Sequence, residues 1–161
     1  MSVKLRGEAV DVPIREIVPY ENNPRLNENA VPAVMESIRM FGFNVPIILD
    51  RENVVIAGHT RLKAAEQLGM ESVPCVRVDD LSEDQVRAFR LADNKTAELS
   101  RWDFEKLYGE LESLKVAAPE MDMGVFGFNE IRFEQKQEVP EEAPEGMVIC
   151  PRCGHVQEAA E

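Results

Sequence analysis

The sequence predicts an α+β domain, a small mixed sheet flanked by helices, followed by an acidic tail. Three observations lead there. Short apolar runs bounded by turn residues alternate with segments of helical periodicity between Glu8 and Leu114. The 161 residues suffice for one domain plus a tail. Of them, 44% are hydrophobic but only 6% aromatic, so aliphatic side chains fill the core. From Glu134 the pattern gives way to polar, proline-containing, acidic sequence.

Taken in order, EAVDVPI at 8–14 reads as an opening strand, and YENNPR at 20–25 as a loop closed by Pro24. A helix begins near Asn29, with Val31, Val34, Ile38 and Phe41 at helical spacing. Pro32 falls in its first turn, where a missing N–H has no partner to lose, and Gly42 ends it. Val45–Leu49 and Val54–Ala57 are strands joined by a turn at Asp50–Asn53. Gly58 breaks the second strand, and residues 60–68 follow as a helix with Leu62, Ala65 and Leu68 inward and Gly69 as its stop. Ser72–Val78 is a further strand. Ser82 and Gln85 form a capping box for a helix running toward Leu91, so Asp93, Asn94 and Lys95 fall where it finishes. Asp103 caps a last helix with Phe104, Leu107, Leu111 and Leu114 on one face.

These elements divide the chain into a domain at 8–133, an acidic linker at 134–146 and a short tail at 147–161 that is expected to be flexible. The net charge of −12 opposes non-specific DNA binding by the whole surface, although it leaves room for a local basic patch. No apolar run reaches bilayer length and the first residues lack the apolar stretch of a signal peptide. A cytoplasmic protein without a membrane partner is the expectation, and three cysteines there argue against a disulfide framework.

The sharpest chemical signal is the junction Val54–Ala65, where a buried strand meets Gly58 and a helix starts at once. The first N–H groups of a helix have no internal partner and carry the positive end of its dipole, which favours an anion such as phosphate. Arg61 in the first turn adds a charged donor, and Lys63 adds charge nearby. By spacing alone, an equal reading is a glycine turn with Arg61 in solvent. His59 could donate to a phosphate or act as a base, or it could cap the helix or stand in solvent. Asn94 fits a helix C-cap, Arg25 a surface charge after a turn, and Cys75 a small buried hydrophobe. In the tail, Cys150-x-x-Cys153 with Pro151 and Gly154 has the form of a zinc knuckle, near His155. It is half of a four-ligand site. Two chains sharing one zinc, His155 joined by an outside ligand, and an unmetallated remnant all fit.

Five stretches carry a family resemblance: NNPR at 22–25, FGFNVPIILD at 41–50, VVIAGHTRLKAAEQLG at 54–69, VPCVRVDDLSEDQVRAFRLADNK at 73–95 and ELSRWDFEKL at 98–107. In order and spacing they resemble the ParB-like N-terminal (nuclease) domain of the ParB/sulfiredoxin superfamily. They are most similar to the versions beside or fused to phage-type DNA methyltransferases. The signature Gly-x-x-Arg-x-x-Ala stands at Gly58, Arg61 and Ala64. The resemblance implies a ParB/sulfiredoxin-like fold. It also implies that Gly58, His59, Thr60 and Arg61 hold the phosphates of a nucleoside di- or triphosphate, CTP or ATP, with magnesium. Asn94 and Lys95 would approach the same phosphates, and Arg25 of the NPR loop would line the pocket. The implied role is a nucleotide-binding module in phage or mobile-element DNA metabolism, reaching DNA or a DNA-modifying protein through a partner and able to form a homodimer. Relatives also suggest an enzyme, a nucleotide hydrolase, phosphotransferase or nuclease, with Glu21 and His59 as candidate bases. A third reading is an interaction scaffold without nucleotide. Sulfinic acid repair needs a cysteine two residues before the signature arginine, and His59 stands there.

Overall fold

The computed structural model describes residues 8–128 and the backbone of two short strands at 147–149 and 156–158. The chain divides into two compact units, Met1–Asp103 and Phe104–Glu161. The first contains β1 (Val10–Pro13), α1 (Val31–Phe41), β2 (Ile47–Asp50), β3 (Val55–Ala57), α2 (His59–Gln67), β4 (Ser72–Val78) and α3 (Glu83–Ala97). Single 3-10 turns at Ile14–Glu16 and Glu28–Ala30 precede α1.

The four strands form one mixed sheet in the order β1-β4-β2-β3. β4 runs antiparallel to β1 and parallel to β2, with Ile47 opposite Cys75 and Asp50 opposite Val78. A parallel pair needs a long crossover, and β3 with α2 supplies it. β2 and β3 form an antiparallel hairpin whose turn is held by one side chain. Asp50 Oδ1 accepts the N–H groups of Glu52 and Val54 at 3.0 and 2.8 Å, while Asn53 takes the left-handed φ of 61° that Asn tolerates.

Alternation along the strands gives the sheet two covered faces. Val12, Ile47, Leu49, Val55, Val73 and Cys75 pack with Leu62 and Ala65 of α2. Ile56 and Val78 face the other way and pack with Val86 of α3. α1 lies against α2, where Ala64 and Ala65 are fully buried.

Two of the boundary shifts bear on the site. The strand expected from Val45 starts at Ile47, because the carbonyls of Val45 and Pro46 bond to a side chain instead of a strand. The helix expected to end near Leu91 continues to Ala97. Its capping box is present, with Gln85 N donating to Ser82 Oγ and Ser82 N to Gln85 Oε1. No glycine or proline interrupts it after Ser82. Thr96 Oγ1 donates to the carbonyls of Ala92 and Asp93, and Lys95 pairs with Glu98. Asp93, Asn94 and Lys95 therefore lie within a helix, and Asn94 is not its C-cap.

In the second unit, α4 (Phe104–Ala117) buries Leu107 and Leu111, one turn apart, while Phe104 on the expected inward face is exposed. A 3-10 turn at Met123–Phe126 is capped by Asp122, whose Oδ1 accepts from Gly124 N at 2.8 Å. β5 (Met147–Ile149) and β6 (Val156–Glu158) pair antiparallel, Met147 opposite Glu158. The linker at 134–146 and the knuckle residues Cys150, Cys153 and His155 lie outside the described residues. Among the described residues no helix is long and apolar enough to cross a membrane.

Candidate functional site

β3 ends and α2 begins at Gly58, which stands at φ 109° and ψ 21°, a backbone state that side chains rarely adopt. The first amide bonded within the helix is Leu62 N, to Gly58 O at 2.9 Å. The N–H groups of His59, Thr60 and Arg61 precede it and belong to the unpaired first turn. Gly58 has a second reason to be glycine. A β-carbon there would stand 3.2 Å from Arg61 Nη2 and 3.3 Å from both Arg61 Cζ and Ile47 Cγ1.

Arg61 does not extend into solvent. Its guanidinium folds back over Gly58, and Nη1 donates to Val45 O at 2.5 Å and Pro46 O at 2.6 Å. The side chain is half-buried, and burial lowers its pKa against the opposing pull of Asp93. The expected surface arginine is thus a tie between the start of α2 and the segment entering β2. Packing decided this, because two carbonyls ahead of the strand lay within its reach.

Arg25 comes from the Asn-rich loop. Asn23 Oδ1 accepts Arg25 N at 3.3 Å, and Arg25 Nη1 donates to Asn94 Oδ1 at 3.3 Å, with Glu98 at 3.7 Å. Asn94 Nδ2 donates to Arg90 O at 2.7 Å, so its amide has a defined orientation.

A cleft of about 580 Å³ in the first unit is lined by Arg25, Gly58, His59, Thr60, Arg61, Asp93 and Asn94, with Val34, Ile38 and Phe41 of α1 as an apolar wall. Three segments distant in sequence meet there. Lys95 is not part of the lining; it is exposed and its Nζ lies 2.8 Å from Glu98. Glu21 is exposed on its loop and also outside the lining. Lys63 pairs with Glu28 at 2.7 Å. His59 lines the cleft, yet its Nε2 is buried with no partner among the described residues. Burial first, then Arg90 and Lys63, holds its pKa below 6.5, so the ring is neutral near pH 7. Cys75 is buried as expected, and burial pushes its thiol up to about 11, where it is inert. Among the described residues no three His, Cys, Asp or Glu side chains gather as a metal site.

The residue that sequence reasoning missed is Arg90. It is 8% exposed. Its Nε donates to Val55 O at 3.1 Å, Nη2 pairs with Asp50 Oδ2 at 3.3 Å, and the guanidinium lies 3.9 Å from the Tyr20 ring centroid. The available signal was its spacing: four residues after the buried Val86, it occupies a core-facing position of α3.

Comparison with known proteins fits this fold. The family model of the ParB N-terminal domain matches residues 2–95, and the chain belongs to that family. The ParB-like nuclease domain-containing protein YnaK of Escherichia coli is 40% identical over 86 residues, 53% of this chain and 97% of YnaK. The probable plasmid-partitioning protein ParB of Thermus thermophilus is 34% identical over 90 residues, 54% of this chain but 30% of that protein. The nucleoid occlusion protein of Halalkalibacterium halodurans is 30% identical over 99 residues, 58% of this chain and 35% of its own. The chain thus spans about a third of the length of these last two relatives. The C-terminally truncated chromosome-partitioning protein ParB of Caulobacter crescentus, complexed with CTP-gamma-S, superposes with a TM-score of 0.57 at 22% identity. That match covers 75% of this chain and 69% of the other, and shows the shared fold.

Proposed function

We propose that the protein binds the phosphates of a nucleoside di- or triphosphate in the cleft at the start of α2. One observation carries this reading: Arg25, the Gly58–Arg61 corner and Asp93-Asn94 line one cleft although they come from separate stretches of the sequence. The N–H groups of His59 and Thr60 supply donors that a helix start leaves unpaired. Arg25 adds charge, and Arg61 keeps the donors on Nε and Nη2 after Nη1 has bonded the two carbonyls. Magnesium carried by phosphates needs only one or two protein oxygens, and Asp93 is the carboxylate lining the cleft. The Caulobacter protein of the same fold is a complex with a CTP analogue, which supports the ligand class.

The wider role proposed is a nucleotide-responsive module in phage or mobile-element DNA metabolism, beside a DNA-modifying enzyme such as a methyltransferase. The partitioning and occlusion proteins among its relatives support the DNA context. Binding is better supported than phosphoryl transfer, because Glu21 lies outside the cleft lining and His59 Nε2 is buried. Calorimetric titration with ATP, ADP, CTP and GTP, with and without magnesium, tests the reading. No binding at millimolar nucleotide would sink it and leave the scaffold reading. For the tail we propose zinc on Cys150, Cys153 and His155, on sequence spacing alone. Equal zinc in the wild type and in a Cys150→Ser, Cys153→Ser variant would exclude it.

A further inference from the structure

We infer that Arg90 is a positioning residue that clamps the loop Tyr20–Arg25 onto α3 and so sets where Arg25 stands in the cleft. The inference rests on the phosphate reading of that cleft. Arg90 itself does not line the cleft, so any effect on ligand must pass through its neighbours.

Those neighbours are specific. The Arg90 guanidinium lies over the ring of Tyr20, the first residue of the loop. One turn further along α3, Asn94 uses its Nδ2 on Arg90 O, which turns Oδ1 toward Arg25, the last residue of the loop. Arg90 and Asn94 are four apart and share a helix face, so α3 grips the loop at both ends. Within the loop, Asn23 N donates to Tyr20 O at 3.2 Å and Arg25 N to Asn23 Oδ1 at 3.3 Å, which makes it a small folded unit. The grip is indexed to the sheet. Arg90 Nε holds Val55 O, three residues before Gly58, and Nη2 holds Asp50 at the end of β2. The loop and the glycine corner therefore take their positions from the same strand. A charge this deeply buried would be disfavoured on a helix unless paired, and Asp50 pairs it.

Two variants separate the clamp from general stability. Arg90→Lys keeps the charge but lacks the planar fork. Tyr20→Leu leaves the Asp50 pair intact and serves if Arg90→Lys fails to fold. Hydrogen exchange of the full chain, read on peptides covering residues 20–25 and 47–57, is combined with calorimetry using magnesium ATP and magnesium CTP. Tyr20→Leu is expected to speed exchange in 20–25 but not in 47–57. Affinity should fall about three- to tenfold, and less than about twofold when Arg25→Ala is already present, since coupled residues are non-additive. Unchanged exchange in the loop would overturn the inference, and so would losses that multiply with Arg25→Ala. If the wild type binds neither of these nor magnesium ADP or GTP, the phosphate reading falls. Exchange then decides the clamp by itself: faster loop exchange supports it and wild-type exchange overturns it.

Discussion

At the α2 wall of the cleft, the donors stand where they do because a strand stops at Gly58 and a helix begins. At the α3 wall, Arg25 stands where it does because Asn94, Arg90 and Tyr20 hold its loop. The first arrangement is made of backbone, within four consecutive residues. The second is a chain of side chains from two segments, the loop and α3. Backbone donors survive most side-chain substitutions, whereas a relay of side chains transmits the loss of any member. The Asp50–Arg90 pair and the Arg61 tie make the contrast sharper, because each spends a charged group on holding the walls in place.

The largest expected effect breaks the side-chain wall. Asp50→Ala leaves the buried Arg90 without its carboxylate and removes two turn bonds, and should cost about 3–5 kcal/mol in urea denaturation. A cost below about 1 kcal/mol, the range of surface pairs, would mean that the pair does not anchor α3. Gly58→Val attacks the backbone wall. Left-handed strain of about 1–3 kcal/mol is expected, together with complete loss of nucleotide binding, because Arg61 loses its seat. Near-wild-type stability and affinity would show that the corner needs no glycine.

The two arginines compare the walls directly. Arg61→Ala strands the Val45 and Pro46 carbonyls and should lower stability by about 1.5–3 kcal/mol as well as affinity. Arg25→Ala, on an exposed loop, should change stability by no more than about 0.5 kcal/mol while weakening binding roughly ten- to hundredfold. Equal stability losses in the two would erase the distinction. The smallest effect is a pH dependence. The folded state holds the His59 pKa below 6.5, so the unfolded chain takes up the proton first. Stability is therefore full above pH 6.5 and declines as pH falls below it. His59→Gln should flatten that slope, measured as melting temperature against pH; an unchanged slope would assign it to other groups.

Much of the first unit was legible because its signals are local. The capping box at Ser82 and Gln85, the turn after Asp50 and the strand-to-helix break at Gly58 each act over two to four residues. The sequence reading also grouped Arg25, Gly58–Arg61 and Asn94, all of which line the cleft. Lys95 and Glu21, which it placed with them, are exposed and outside the cleft lining, and α3 runs further than expected. The Asp93-Asn94-Lys95 run resembles a helix end, but no breaker follows and Thr96 and Lys95 make helix-compatible bonds.

What the sequence determined by itself is the alternation of strand and helix, the glycine at the corner and the donors a helix start must leave unpaired. Those follow from sterics and periodicity, which need no knowledge of distant residues. Only the tertiary structure decided that Arg61 turns back onto two carbonyls, that Arg90 lies buried between Asp50 and Tyr20, and that Asn94 faces Arg25. A buried polar group must find partners wherever packing brings them, and those partners here lie 15 to 70 residues away in the chain.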